Sequence, residues 1–156
     1  MVNSANKPLR LLAVASAGGH WIQLCRLRPL FDDYDVLYVT TLGDVAAPSG
    51  TRRLQVMPDA SRSEPFRLAL LWLRLLGVMV FFRPQVVVTT GAAPGLVAIQ
   101  IGKMFGSRTV WIDSIANSEQ LSMSGMMAER LANLRLTQWE HLADPARNVQ
   151  YFGKVI

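Results

Sequence analysis

The chain has 156 residues, 51% of them hydrophobic and 17% charged, with a formal net charge of +5 and a single cysteine, Cys25. That length accommodates one domain, large enough to bury a core without disulfides or metals, and a charge content below the roughly 25% of ordinary soluble domains implies apolar surface that meets something other than water. One cysteine excludes an internal disulfide or a multi-cysteine zinc site and favours a reducing compartment, while scattered basic residues without an aromatic-interleaved stripe argue against nucleic acid and suit an anionic membrane surface or a phosphate-bearing substrate.

The first eight residues, Met1 to Pro8, are polar and lack the apolar run of a signal peptide, so a cytoplasmic location is expected. A buried-strand pattern follows at Leu11 to Ser16 and runs straight into Ser16-Ala17-Gly18-Gly19-His20. Two glycines there permit a tight turn and bring amides close to an anion at the start of the next helix, Trp21 to Phe31. The third glycine and the ribose-binding acid of a dinucleotide fingerprint are missing, which disfavours a dehydrogenase. His20, at the mouth of the turn, is either a capping or packing residue or a base for a substrate hydroxyl.

Strands are expected at Val36 to Thr41 and Leu54 to Met57, then a polar connection from Asp59 to Glu64. The helix from Pro65 to Phe82 is strongly apolar, but its longest apolar stretch, Leu68 to Phe82, is about 15 residues and carries Arg74, short of the roughly 20 of a spanning helix. Arg67 and Arg74, seven apart, share a face, and with Trp72, Phe81 and Phe82 nearby the helix suits a bilayer interface. Burial against the sheet or under a partner is the other use of such a segment.

A very apolar strand, Val86 to Thr90, leads into Gly91-Ala92-Ala93-Pro94-Gly95 and a helix to Phe105. Small side chains there let a ligand approach, or simply make a tight strand-to-helix connection. After a strand at Thr109 to Ile112 comes the polar run Asp113-Ser114-Ile115-Ala116-Asn117-Ser118-Glu119, whose Asp113, Ser114, Asn117 and Glu119 either hold sugar hydroxyls or serve as helix-start and turn residues. A helix at Met123 to Ala132, a strand at Leu134 to Thr137, a helical turn near Glu140 and a strand at Val149 to Phe152 complete the chain. The alternation predicts an α/β fold, a Rossmann-like doubly wound parallel sheet of about seven mostly buried strands, with ligands beyond the strands' carboxyl ends at the switch in strand order.

Taken together, Ser16-Ala-Gly-Gly-His20, the run from Arg83 to Gly95, Trp111-Ile-Asp-Ser114, Leu121-Ser-Met-Ser-Gly125, Thr137-Gln-Trp-Glu140 and Tyr151-Phe-Gly-Lys-Val-Ile156 resemble the Alg14 family and its bacterial exopolysaccharide relatives of the PssD type, over nearly the whole chain. Asp113 stands where those relatives carry Glu and Asn117 where they carry Arg. The resemblance implies the N-terminal, acceptor-binding half of a GT-B glycosyltransferase, whose donor domain is a separate Alg13-like or PssE-like chain. It further implies inverting transfer from a UDP-sugar to a polyprenyl-diphosphate-linked saccharide, at the cytoplasmic face of the plasma membrane with the chain bound peripherally. The sequence displays no metal-ligand cluster, so a reaction without a metal or other cofactor is expected. His20 matches the family's glycine-motif histidine, as base or acceptor-positioning group, and Gly18, Gly19, Gly91, Ala92, Pro94 and Gly95 are expected to line the cleft against acceptor or phosphate. The competing expectation is a non-catalytic membrane adaptor that recruits a catalytic partner.

Overall fold

In the computed structural model, residues 7–155 are described apart from 49, 51, 52 and 62; most of the polar N-terminal stretch, residues 1–6, and Arg62 of the polar connection lie outside the described residues. The elements are β1 (Arg10–Ala15), α1 (Gly19–Arg26), β2 (Asp35–Thr40), β3 (Arg53–Val56), α2 (Pro65–Phe82), β4 (Val86–Thr89), α3 (Ala92–Met104), β5 (Arg108–Ile112), α4 (Met123–Met127), β6 (Leu134–Thr137) and β7 (Val149–Tyr151). The strands form one seven-stranded sheet in the order β3-β2-β1-β4-β5-β6-β7, every pairing parallel. β1 lies inside the sheet between β2 and β4, with Leu11 opposite Val36 of β2 on one side and Val86 of β4 on the other.

Successive side chains of a strand point to opposite faces, and here both faces are covered. Leu12, Val14, Leu37, Val39, Val87 and Trp111 pack beneath α2 and α3, whereas Leu11, Ala13, Ala15, Val36, Tyr38, Val88 and Ile112 pack beneath α1. The near-continuous apolar strands follow from that double coverage. β3 is the exception: it is an edge strand with three of its four residues exposed, so the expectation of mostly buried strands fails there.

Local chemistry moves several expected boundaries. The helix expected from Trp21 to Phe31 is α-helical only through Arg26 and continues as a 3-10 turn over Arg28–Phe31, where Pro29 has no N–H to donate. α3 begins at Ala92, three residues early. Pro94 falls in its first turn, where the amide has no intrahelical partner to lose. α4 is one short piece capped by Ser122, whose Oγ accepts from Gly125 N at 2.8 Å, and it runs on into a 3-10 turn, Ala128–Arg130.

At the far side of the sheet a buried cation ties the C-terminal elements together. Arg135 on β6 is 2% exposed; it donates to the carbonyls of Gly125 and Arg147 and lies 3.3 Å from Glu129 Oε2, which also receives Arg147 Nη2 at 2.6 Å. Burial pushes the Arg135 pKa down, and the neighbouring Glu129 carboxylate opposes that shift.

Candidate functional site

β1 and β4 are neighbours in the sheet, yet their following helices lie on opposite faces, so the loops after them diverge at the switch in strand order. These are the two small-residue loops of the sequence. His20 Nδ1 donates to the Thr90 carbonyl at 2.7 Å, and Thr90 Oγ1 donates back to the His20 carbonyl at 2.7 Å. Beneath the ring lies Gly91 at φ 129°; a Cβ there would stand 2.8 Å from His20 Cε1 and 2.9 Å from Nδ1. The imidazole is half-buried, and its Nε2 has no hydrogen-bond partner among the described residues.

Both helices that begin here lack a side-chain cap. Gly18 and Gly91 are their N-caps, at φ 74° and 129°, in contrast to the Ser122 cap of α4. Gly18 and Gly19 are exposed, leaving the first amides of α1 open to an anion. The second loop is more committed. Gly91 N donates to Thr89 Oγ1 at 3.1 Å, Pro94 is buried, and a Cβ on Gly95 would meet the Thr89 hydroxyl at 2.0 Å, so Gly95 serves close packing of α3 on β4. Ala92, at φ 64°, and Ala93 are half-buried at the loop's rim.

In the third loop, Asp113 is buried and its carboxylate is already engaged. Oδ2 accepts from Ser122 N at 2.7 Å, while Oδ1 accepts from Ser114 N at 3.2 Å and Asn117 Nδ2 at 3.3 Å. Ser114 Oγ accepts from Ala116 N at 3.3 Å, and Glu119 is exposed. Thus Asp113, Ser114 and Asn117 organise the loop, and Glu119 is the member of this set that faces solvent.

Four residues to which the sequence assigned no site role, two of them within the Thr137-Gln-Trp-Glu140 motif, hold this loop to its neighbours. Gln23, one turn beyond His20 on α1, and Gln138, after β6, are both buried and both donate to the Asp113 carbonyl, at 3.3 and 2.9 Å. Gln138 Oε1 also accepts from Val155 N at 2.8 Å, linking the C-terminal segment to the loop. Trp139 Nε1 donates to the Ile115 carbonyl at 2.9 Å and His141 Nε2 to the Ser118 carbonyl at 2.7 Å. A glutamine on the buried face of a helix, beside Trp21 and Leu24, was the one available signal. Cys25, on the same helix, has its thiol pKa pushed up by burial, which argues against an activated nucleophile.

α2 divides by face. Leu71, Leu75, Val78, Met79 and Phe82 pack into the core and Trp72 is half-buried against it, whereas Arg67, Arg74 and Phe81 are exposed. The large apolar side chains left outside are Phe66, Leu70, Leu73, Val80 and Phe81, which at about 100° per residue fall on one side of the helix, with Phe66 90% and Phe81 87% exposed. Arg67 is held by Glu64 at 3.3 Å. The helix is long and apolar enough to cross a membrane by length and composition, but in this fold its inner face is committed to the sheet. Among the described residues no group of three His, Cys, Asp or Glu side chains is placed to hold a metal ion.

This architecture recurs in solved structures. MurG from Acinetobacter baumannii superposes with a TM-score of 0.72 at 12% identity, over 92% of this chain and 45% of that one. UDP-N-acetylglucosamine 2-epimerase from Rickettsia bellii gives 0.69 at 14% identity over 94% and 45%, and a glycosyltransferase from Rickettsia africae 0.64 at 8% over 96% and 44%. The fold is therefore one Rossmann-like half of the GT-B glycosyltransferase architecture, whose members of known structure include MurG. Residues 65–155, more than half of the chain, match the family model described as "Oligosaccharide biosynthesis protein Alg14 like", and the chain belongs to that family. The "UDP-N-acetylglucosamine transferase subunit ALG14" of Eremothecium gossypii is 30% identical over 79 residues, 47% of this chain, and the match spans about a third of that relative, 35% of its length.

Proposed function

We propose that this chain is the acceptor-binding, membrane-associating part of a two-chain inverting glycosyltransferase that moves a sugar from a UDP-sugar to a lipid-diphosphate-linked saccharide. The donor-binding domain belongs to a separate Alg13-like polypeptide, consistent with the word "subunit" in the relative's name, and that name favours N-acetylglucosamine as the sugar. The observation that carries the reading is the placement of His20: an imidazole clamped at the switch point, its Nε2 unpartnered among the described residues, beside the open first amides of α1.

In this reading the acceptor hydroxyl hydrogen-bonds to His20 Nε2. Its oxygen forms a bond to the anomeric carbon from the face opposite the nucleotide, the bond from that carbon to the UDP oxygen breaks, and the hydroxyl proton passes to Nε2. UDP departs with the bonding electron pair. A positioned base of this kind contributes about 10²–10⁴-fold, and uncapped helix amides supply positive potential for phosphate charge without a metal. The exposed stripe of α2, with Arg67 and Arg74 towards anionic head groups, holds the chain peripherally at the cytoplasmic face of the membrane, where a lipid-linked acceptor is presented.

The test is His20→Ala in the complex reconstituted with the donor-binding chain. Transfer is expected to fall by about 10²-fold or more, with complex assembly and vesicle flotation unchanged. Undiminished transfer would leave this chain the role of a membrane adaptor.

A further inference from the structure

We infer that Thr90 is a positioning residue for His20, fixing the imidazole as the Nδ1–H tautomer so that Nε2 is the one ring nitrogen able to take a substrate proton. This rests on the reading of His20 as the base. A carbonyl oxygen only accepts, so the 2.7 Å contact between His20 Nδ1 and the Thr90 carbonyl requires the hydrogen on Nδ1. A neutral imidazole carries a single N–H, which leaves the lone pair on Nε2.

The same residue closes the clamp in the other direction. Thr90 is fully buried, and its hydroxyl donates to the His20 carbonyl, so two residues 70 positions apart are joined by two hydrogen bonds of opposite sense. One bond orients the ring and the other holds the backbone from which it hangs. Gly91, the next residue, offers the ring a bare surface on which a Cβ would not fit. Thr90 therefore acts through His20 without being aimed at substrate itself.

The second histidine provides an internal contrast. His141 makes its 2.7 Å bond to the Ser118 carbonyl through Nε2, which by the same logic requires the Nε2–H tautomer. The two histidines of this chain are expected to be opposite tautomers.

The experiment uses the full chain labelled with ¹⁵N-histidine and long-range ¹H–¹⁵N spectra at about pH 8.5, above the ordinary imidazole pKa of about 6.5, with His20→Gln to assign the signals. Nδ1–H at His20 and Nε2–H at His141 are expected; Nε2–H or a tautomer mixture at His20 overturns the inference whatever the activity. Thr90→Val keeps the volume and removes the hydroxyl, whereas Thr90→Ser retains it. In the reconstituted enzyme the valine variant is expected to lower kcat about tenfold with KM for the UDP-sugar within about twofold, and the serine variant to restore most of it, the lower end of the scale found for partners that orient metal-bound histidines. Equal losses in both variants, or a loss confined to KM, count against positioning. If the tautomers are as stated while His20→Ala leaves transfer intact, the positioning stands and the base reading falls.

Discussion

The imidazole of His20 lies against the bare backbone of Gly91, in a space that a single methyl group at 91 would invade to within 2.8 Å of Cε1. Because the backbone at Gly91 also has φ 129°, a region that side chains rarely adopt, alanine there is opposed twice. Gly91→Ala is expected to displace the ring and lower transfer by about 10²-fold, with a thermal midpoint that falls only modestly. Transfer at wild-type rates by a folded Gly91→Ala protein would remove His20 from the mechanism.

Gly95 answers to a different constraint. Its missing Cβ lets α3 approach β4, where the Thr89 hydroxyl would stand 2.0 Å away. Gly95→Ala is expected to cost about 3 kcal/mol or more through overpacking, read as a drop in the denaturant midpoint. Thr89→Ala in the same chain removes the clashing hydroxyl and should recover part of that loss.

The two faces of α2 should separate stability from membrane binding. Leu75→Ala, at a fully buried position, is expected to destabilise by about 2–5 kcal/mol. Serine at Phe66, Leu73 and Phe81 together, all on the exposed stripe, should change stability by no more than about 0.5 kcal/mol per site. The triple variant should nonetheless lose binding to anionic vesicles by about 10³-fold, since each apolar side chain that enters the interface contributes of the order of 1.5 kcal/mol, about tenfold apiece. Vesicle binding that survives the triple variant would assign the stripe to a protein partner.

Glu129 gives the fold a pH dependence of defined sign. The hydrogen bond from Arg147, with the added charge of Arg135, holds its carboxyl below the ordinary value of 4.5. A folded-state pKa lowered in this way adds stability that is fully present above the unfolded value and is lost as pH falls through the folded one. Urea midpoints should therefore drop more steeply below about pH 4.5 in the wild type than in Glu129→Gln, and the variant should be the less stable of the two at pH 7. Parallel curves for the two proteins would show that the Arg135–Glu129–Arg147 group adds nothing to pH sensitivity.

The sheet was legible because strands buried on both faces read as continuous apolar runs, and the three candidate loops were legible because they follow such runs directly. What the sequence withheld depends on contacts between distant segments. Gly91 and Gly95 look alike in a run of small residues, yet one seats the imidazole of the sequence-distant His20 and the other seats a strand. Gln23 and Gln138 carry no local sign that both reach the carbonyl of Asp113. Asp113 stood open between a sugar contact and a turn residue because nothing local announces that the Ser122 amide, nine residues on, satisfies its carboxylate. In α2, composition marked the helix as apolar without saying which side was outside: neighbouring residues point about 100° apart, so Phe81 faces solvent while Phe82 and Trp72 turn inward.

The most direct test of the central claim is transfer of radiolabelled N-acetylglucosamine from UDP-N-acetylglucosamine to membrane lipid acceptors by three preparations: this chain alone, the donor-binding chain alone, and the two together. The two-chain reading predicts product only from the mixture, and only with His20 intact. Product from the donor-binding chain alone, at a rate that this chain and its His20→Ala variant change equally or not at all, would contradict it.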